Sequence, residues 1–330
     1  MMSRKYFYKG STLVAEGILT MSGSDFMTDL TQCGVKLDRR LFDYIVGLDT
    51  EMSELVNGSH LYMPDVEADD LVLPDDTKKR IFDAVSNYDK VKDVIYDLGI
   101  DKKITYGLAQ ILLFYGASGT DKTMCANALA KKLGVKVLLV NFPDLGSNSS
   151  GAIIKFLFRE ARINRALLFF DECESLFMSR NKGGKQVNMI LTELERYDGL
   201  CILATNRAYD LDEAMHRRIS LAVEFRKPDR IMREKIWKAL KPPQLPIEDN
   251  VDFTLLASKF ELVGGTVKNA WLQSIHLMIQ RGGDKVTQDD LMQAASEQVK
   301  GQISQEDFDR RVVPTVGIDG MILDNSVKEA

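Results

Sequence analysis

From residue 111 onward, short apolar runs alternate with longer amphipathic stretches. Ile111–Tyr115, Val137–Asn141, Ala166–Phe170, Cys201–Thr205 and Leu221–Phe225 are rich in β-branched and aromatic residues. Runs of that length predict strands buried on both faces, and the intervals between them are long enough for crossover helices. The pattern predicts an α/β fold built on a doubly wound parallel sheet. After Pro228 the strand signals stop. Periodicity then predicts helices over Asp229–Leu240, Phe253–Phe260, Thr266–Gln280 and Gln288–Val299. In the third, Val267, Ala270, Trp271, Ile275 and Met278 fall on one face at three- and four-residue spacing. The proline-rich stretch Lys241–Pro246 reads as a linker. Upstream of residue 65 the pattern is mixed, with helical stretches around Ser24–Thr31 and Leu37–Leu55.

Composition narrows the class. Of 330 residues, 45% are hydrophobic and 28% charged, an ordinary globular balance with material for one good core and a smaller second one. The apolar runs fall far below the roughly 20 residues that span a bilayer. The first residues carry no apolar signal-peptide core, so a cytoplasmic location is expected, with no membrane partner. The four cysteines Cys33, Cys125, Cys173 and Cys201 lie far apart and there are three histidines, which suggests neither a disulfide framework nor a zinc site. Buried small hydrophobes are the expected role of these cysteines. A net charge of −5 offers no basic footprint for nucleic acid, so protein is the expected macromolecular partner.

The first chemistry-bearing motif is Gly116-Ala-Ser-Gly-Thr-Asp-Lys-Thr123, which follows one predicted strand and opens a helical stretch, Met124–Leu133. A phosphate-binding loop requires that context. Its main-chain N–H groups would wrap the β- and γ-phosphates, with Lys122 adding a point charge and the Thr123 hydroxyl ligating Mg²⁺. Gly116, Ser118, Gly119, Thr120, Asp121, Lys122, Thr123 and Met124 are therefore candidate nucleotide contacts. Asp121 departs from the pattern GxxxxGK[ST], which has its last glycine there. Aspartate brings a Cβ and a negative charge beside an anion. Like charges ~4 Å apart repel by about 1 kcal/mol in water and ~4 kcal/mol at lower effective dielectric. Binding would weaken by roughly tenfold to a thousandfold.

Ala166-Leu-Leu-Phe-Phe-Asp-Glu172 is an apolar strand ending in two carboxylates. Asp171 is the candidate for the Mg²⁺ shell and Glu172 for polarising an attacking water. Cys201-Ile-Leu-Ala-Thr-Asn206 ends in an amide that can orient that water or touch the γ-phosphate. Arg217 and Arg218 follow a helical segment starting near Asp210 and precede the last strand; an arginine delivered to a neighbour's γ-phosphate would stabilise transition-state charge. A surface arginine pair is the plain alternative.

Together with Tyr197–Asn206, His216-Arg-Arg-Ile219, Val223–Asp229, Leu71-Val-Leu-Pro74 and Glu261–Ala270, these motifs resemble the AAA family of AAA+ ATPases, in particular the bacterial cell-division-cycle-like type, over about residues 65–300. The resemblance implies a P-loop NTPase αβα sandwich with a five-stranded parallel sheet, followed by a small all-α lid, with ATP between them. It implies adenine contacts near Asp70, Leu71 and Val72 and near Gly264–Gly265, with Lys268 near a second sensor. It further implies a homo-oligomeric, hexameric ring in which arginines act across subunits and a pore loop pulls protein substrates. The segment Gly146–Gly151 lacks the aromatic residue of that loop. Residues 10–64 are similar to the degenerate winged helix that precedes the ATPase core in some relatives.

The expected organisation is a mixed N-terminal region (1–64), a large nucleotide-binding domain (65–228), a helical lid (229–300) and a tail (301–330). In the tail, Ile318–Lys328 echoes the spacing of Ala68–Lys78 and reads as the start of a further module. Two functional readings stand. One is a ring-forming ATPase with ATP and Mg²⁺ as cofactors, using Lys122, Thr123, Asp171, Glu172 and Asn206 of one subunit and Arg217 or Arg218 of the next to remodel protein assemblies. The other is a degenerate module whose Asp121 has weakened the nucleotide site and whose role is structural or partner-binding. A DNA-acting relative, a clamp loader or initiator, finds little support in the acidic charge balance.

Overall fold

Every apolar run named above forms a strand in the computed structural model, which describes residues 4–8, 11–15, 17–22, 34–47, 56–103, 107–145, 151–174, 184–206 and 217–300. Strands β1 (Leu19–Ser22) and β2 (Gly34–Leu37) form a small antiparallel pair near the N-terminus, followed by helix α1 (Arg39–Val46). The main sheet contains β3 (Ser59–Tyr62), β4 (Gln110–Gly116), β5 (Val137–Asn141), β6 (Leu167–Asp171), β7 (Leu200–Thr205) and β8 (Leu221–Phe225) in the order β3-β5-β6-β7-β4-β8. The predicted five-stranded parallel sheet is present and, among the described residues, gains a sixth strand. Five strands run parallel, and β3 adds an antiparallel edge against β5, with Tyr62 opposite Val137. Periodicity missed β3 because it is four residues long, Ser-His-Leu-Tyr, and polar at two of them.

Alternation along each strand sorts its side chains between two cores. Ile111, Leu113, Leu138, Val140, Leu168, Phe170, Cys201 and Leu203 face one. Leu112, Phe114, Val137, Leu167, Phe169, Ile202 and Ala204 face the other. The first is closed by helices α2 (Gly151–Ile163) and α3 (Gly184–Arg196) through Leu157, Phe158, Ile190 and Leu194. The second is closed by α4 (Asp75–Ser86) and α5 (Lys122–Leu133) through Ile81, Phe82, Cys125 and Leu129. A sheet buried on both faces by crossover helices is the three-layer arrangement that continuous apolar strands require. Helix α5 ends at Gly134, whose φ of 68° lets its N–H reach back to the carbonyls of Ala130 and Lys131.

The chain divides into two compact units, residues 1–232 and 233–330. In the second, helices α6 (Arg230–Ala239, which begins in the first unit), α7 (Phe253–Lys259), α8 (Gly264–Gln280) and α9 (Gln288–Lys300) follow the predicted periodicity. Trp237 and Trp271 are its largest buried side chains and meet edge to face at 5.8 Å between centroids. The Asp252 carboxylate caps α7 by accepting from Leu255 N at 3.0 Å. Asp290, nearly buried, accepts from Arg281 at 3.0 Å and from Thr287 N at 2.9 Å. No helix among the described residues is long and apolar enough to cross a membrane. The predicted helices near Ser24–Thr31 and Asp210, most of the Gly146–Gly151 segment, and the tail 301–330 lie outside the described residues.

Candidate functional site

Parallel pairing brings the C-terminal ends of β4, β7, β6 and β5 to one edge, and four candidate groups leave the sheet there. The phosphate loop follows β4, and Asn206 follows β7. Asp171 ends β6 and Glu172 follows it. Because β7 lies between β4 and β6, Asn206 sits between the loop and the two acids.

The loop leaves the sheet at Gly116, where φ is 140° and an added Cβ would lie 2.1 Å from the Phe225 carbonyl oxygen. Only glycine fits that approach to β8. Ser118 and Gly119 are exposed at the tip, and the Thr120 hydroxyl, buried, donates to the Ala117 carbonyl at 2.7 Å. Asp121 is the residue that precedes α5, with φ 64° and ψ 24°. The substituted position therefore keeps the left-handed conformation that glycine takes without strain. For a residue with a Cβ this conformation costs roughly 1–2 kcal/mol, aspartate being among the side chains that tolerate it. Its carboxylate makes no cap hydrogen bond to the helix. Burial pushes the Asp121 carboxyl up to about 6, only partly opposed by the Lys122 ammonium.

Lys122 is buried, and its ammonium donates to the Gly116 and Ala117 carbonyls and to Asn206 Oδ1, each at 2.9 Å. Burial lowers its pKa, while the charges of Asp171, Glu174 and Asp121 act in the opposite direction. Three oxygens around one ammonium match its three donors, an arrangement that phosphate oxygens can replace. The Thr123 hydroxyl donates to Asp171 Oδ2 at 3.1 Å. Met124 packs at the edge of the second core. The first N–H groups of α5 have no intrahelical acceptor and point toward the loop, where the helix dipole favours an anion.

Glu172 is exposed and lies at φ 53°, strained for a residue with a Cβ, and its N–H donates to Asp171 Oδ1 at 3.0 Å. The next two residues tie the acid turn to β7. Cys173 N donates to the Ala204 carbonyl at 3.0 Å, and Glu174 Oε1 accepts from Asn206 N at 2.7 Å. Glu174 was not among the predicted site residues; its place in the acidic turn Asp-Glu-Cys-Glu is the signal that could have marked it. Cys125, Cys173 and Cys201 are buried, and burial raises their thiol pKa values, which leaves them packing residues.

Arg217 and Arg218 are not brought to this edge within one chain. Ser220 N donates to the Ile111 carbonyl at 2.8 Å, so Arg217 and Arg218 lie at the opposite end of β4. At about 3.3 Å per strand residue, that is roughly 17 Å from Gly116. Arg218 is half-buried and bonds Glu195 of its own chain; Arg217 is exposed. Asp70 ends a short 3₁₀ turn, Leu71 is buried in the second core and Val72 is half-buried, so Leu71 can offer a ligand only its backbone. In the second unit, Gly265 and Lys268 are both exposed, three residues apart on α8. No group of three or more histidine, cysteine, aspartate or glutamate side chains able to hold a metal occurs among the described residues.

Comparison with known proteins agrees with this architecture. Residues 112–227 match the AAA model, the ATPase family associated with various cellular activities, and residues 1–59 match a variant winged helix domain. The chain is similar to the ATP-dependent zinc metalloprotease FtsH 3 of Sphaerobacter thermophilus, with 31% identity over 58% of this chain and 42% of that protein. It is 32% identical to human peroxisomal ATPase PEX1 over 52% of this chain and 15% of that protein. It is 30% identical to the proteasome-activating nucleotidase of Saccharolobus solfataricus over 56% of this chain and 51% of that protein. The chain therefore spans about half or less of the length of these relatives.

Proposed function

We propose that this chain, which carries a domain of the AAA family, binds Mg·ATP at the edge formed by β4, β7 and β6 and hydrolyses it between subunits of a ring. The observation that carries the reading is the pair of contacts joining three separate segments: Thr123 to Asp171 at 3.1 Å and Lys122 to Asn206 at 2.9 Å. Two hard oxygen donors suit Mg²⁺, which keeps several waters and takes the rest of its shell from phosphate. Thr123 and Asp171 would hold it, and when bound it supplies charge neutralisation of the phosphates.

The protein groups divide the remaining work. Lys122 and the N–H groups of the loop hold the β- and γ-phosphates. Glu172 polarises the attacking water, and Asn206, held by Glu174, orients it. Arg217 is exposed where Arg218 is half-buried, which favours Arg217 as the arginine presented to the next subunit's γ-phosphate. Asp70, Leu71 and Val72 of the first unit are the proposed adenine contacts. Coupling hydrolysis to remodelling of a protein assembly is the working role.

A second reading is favoured by Asp121. A half-buried carboxylate beside the phosphates would weaken the nucleotide and leave a module that assembles or binds partners. Calorimetry of Mg·ATP with wild type and Asp121→Gly separates the two. Micromolar affinity with turnover that rises with protein concentration supports hydrolysis. Absent binding that Asp121→Gly restores supports the second reading, and absent binding in both rejects the site.

A further inference from the structure

Thr123, Asn127 and Lys131 form one row at four-residue spacing along α5, and the chain leaving β3 follows that row. Tyr62, the last residue of β3, donates its hydroxyl to Asn127 Oδ1 at 2.9 Å. Asn127 Nδ2 in turn donates to the Thr123 carbonyl at 2.9 Å. Farther along the helix, Lys131 meets Asp65 at 2.6 Å and Glu67 at 2.7 Å. Those outer ion pairs are exposed and contribute little. The Tyr62–Asn127 bond is half-buried, and the Tyr62 ring packs at the edge of the second core along with Met124. Burial raises the Tyr62 pKa, the bond to Asn127 partly offsets this, and the Asp171 charge raises it again. The phenol thus stays protonated as a donor and lies within electrostatic reach of the candidate metal carboxylate.

We infer that Tyr62 is a positioning residue of the nucleotide site: through Asn127 it holds the first turn of α5 so that the Thr123 hydroxyl meets Asp171. The inference rests on the Mg·ATP site proposed above. It also assigns a use to the antiparallel edge strand. β3 begins at Ser59, where the match to the variant winged helix domain ends, so the strand by which the N-terminal region enters the sheet also touches the helix that carries the metal-binding hydroxyl. A displacement of that strand would be felt at Thr123 before it reached Lys122, whose ammonium is anchored independently by Gly116, Ala117 and Asn206.

The test is calorimetry of ATP binding to the full chain, with Mg²⁺ and with EDTA, for wild type, Tyr62→Phe, Asn127→Ala and the double variant. Each single variant is expected to weaken Mg·ATP binding by roughly 3–10-fold, the worth of one hydrogen bond, and to change metal-free binding by less than about twofold. The double variant is expected to be no weaker than Asn127→Ala alone, because the two residues act in series. Unchanged magnesium dependence in Tyr62→Phe overturns the inference, and so does a double variant whose loss is the product of the two single losses. If circular dichroism shows Tyr62→Phe to be misfolded, Asn127→Ala, which leaves β3 intact, decides alone. A wild-type chain that binds ATP in neither buffer rejects the nucleotide site itself, a failure distinct from an intact site indifferent to Tyr62.

Discussion

The Lys122 ammonium donates to Asn206 Oδ1 at 2.9 Å across 84 positions of sequence, joining the phosphate loop after β4 to the end of β7. Both partners lie where parallel strands end, so the contact follows from strand order. In open α/β sheets ligands bind at the carboxyl ends of the strands, and the same edge here gathers Thr123, Asp171 and Glu172.

Asp171→Asn is expected to leave metal-free ATP binding nearly unchanged while weakening Mg·ATP binding by roughly 10–100-fold. Thr123→Ala should show the same split. Titrations with and without EDTA check it, and an equal loss in both buffers would place Asp171 outside the metal shell.

Asp121→Gly removes a Cβ from a left-handed position and a charge from a half-buried site. Mg·ATP affinity should rise about tenfold or more, and folding stability by roughly 1–2 kcal/mol. The wild type should also carry a pH signature. The Asp121 carboxyl is raised in the folded protein to about 6 from an ordinary 3.8, so it binds its proton more tightly when folded. The resulting stability is fully present below about pH 4 and is lost as pH rises through about 6, amounting to about 1–3 kcal/mol. Urea unfolding of the two proteins between pH 4 and 7 should show a slope in the wild type that Asp121→Gly lacks.

Glu172→Gln should lower ATP turnover by on the order of 10²–10⁴ while binding persists. Arg217→Ala should abolish turnover with little change in nucleotide affinity. If the arginine acts on a neighbour, mixing the two inactive variants restores part of the activity, since a Glu172→Gln subunit lends its Arg217 to an intact site next door. No recovery on mixing would argue that Arg217 does not act across subunits.

In the second unit, burial alone would raise the Asp290 pKa, but bonds from Arg281 and Thr287 outweigh it and hold the carboxyl below its ordinary value. Its contribution to stability is therefore present above the unfolded pKa of about 3.8 and is lost as pH falls through the lower folded value. Asp290→Asn is expected to lower the melting temperature of this unit at pH 7 and to flatten its acid limb. Differential scanning calorimetry from pH 2 to 7 checks both.

Phe158 lies in the first core with essentially no exposure and meets Tyr197 edge to face at 5.2 Å between centroids. Phe158→Ala should cost about 3–5 kcal/mol, read as a lowered urea midpoint with an unchanged slope.

The amino-acid sequence alone determined the five parallel strands and the phosphate-loop pattern and paired acids that follow two of them. A strand buried on both faces must be apolar throughout, and a phosphate loop must sit between such a strand and a helix, so both signals are local. Tertiary structure alone decided the rest. β3 became a sheet edge because Val137–Asn141 offered it a partner, and Tyr62 reached Asn127 only through that register. Glu174 gained its role from the Asn206 N–H, and Arg218 from Glu195. Asp121 keeps the backbone shape of the glycine it replaces, because the flanking strand and helix fix the dihedrals of a loop that short. Contacts between residues dozens of positions apart depend on strand order and register, which no window along the chain contains.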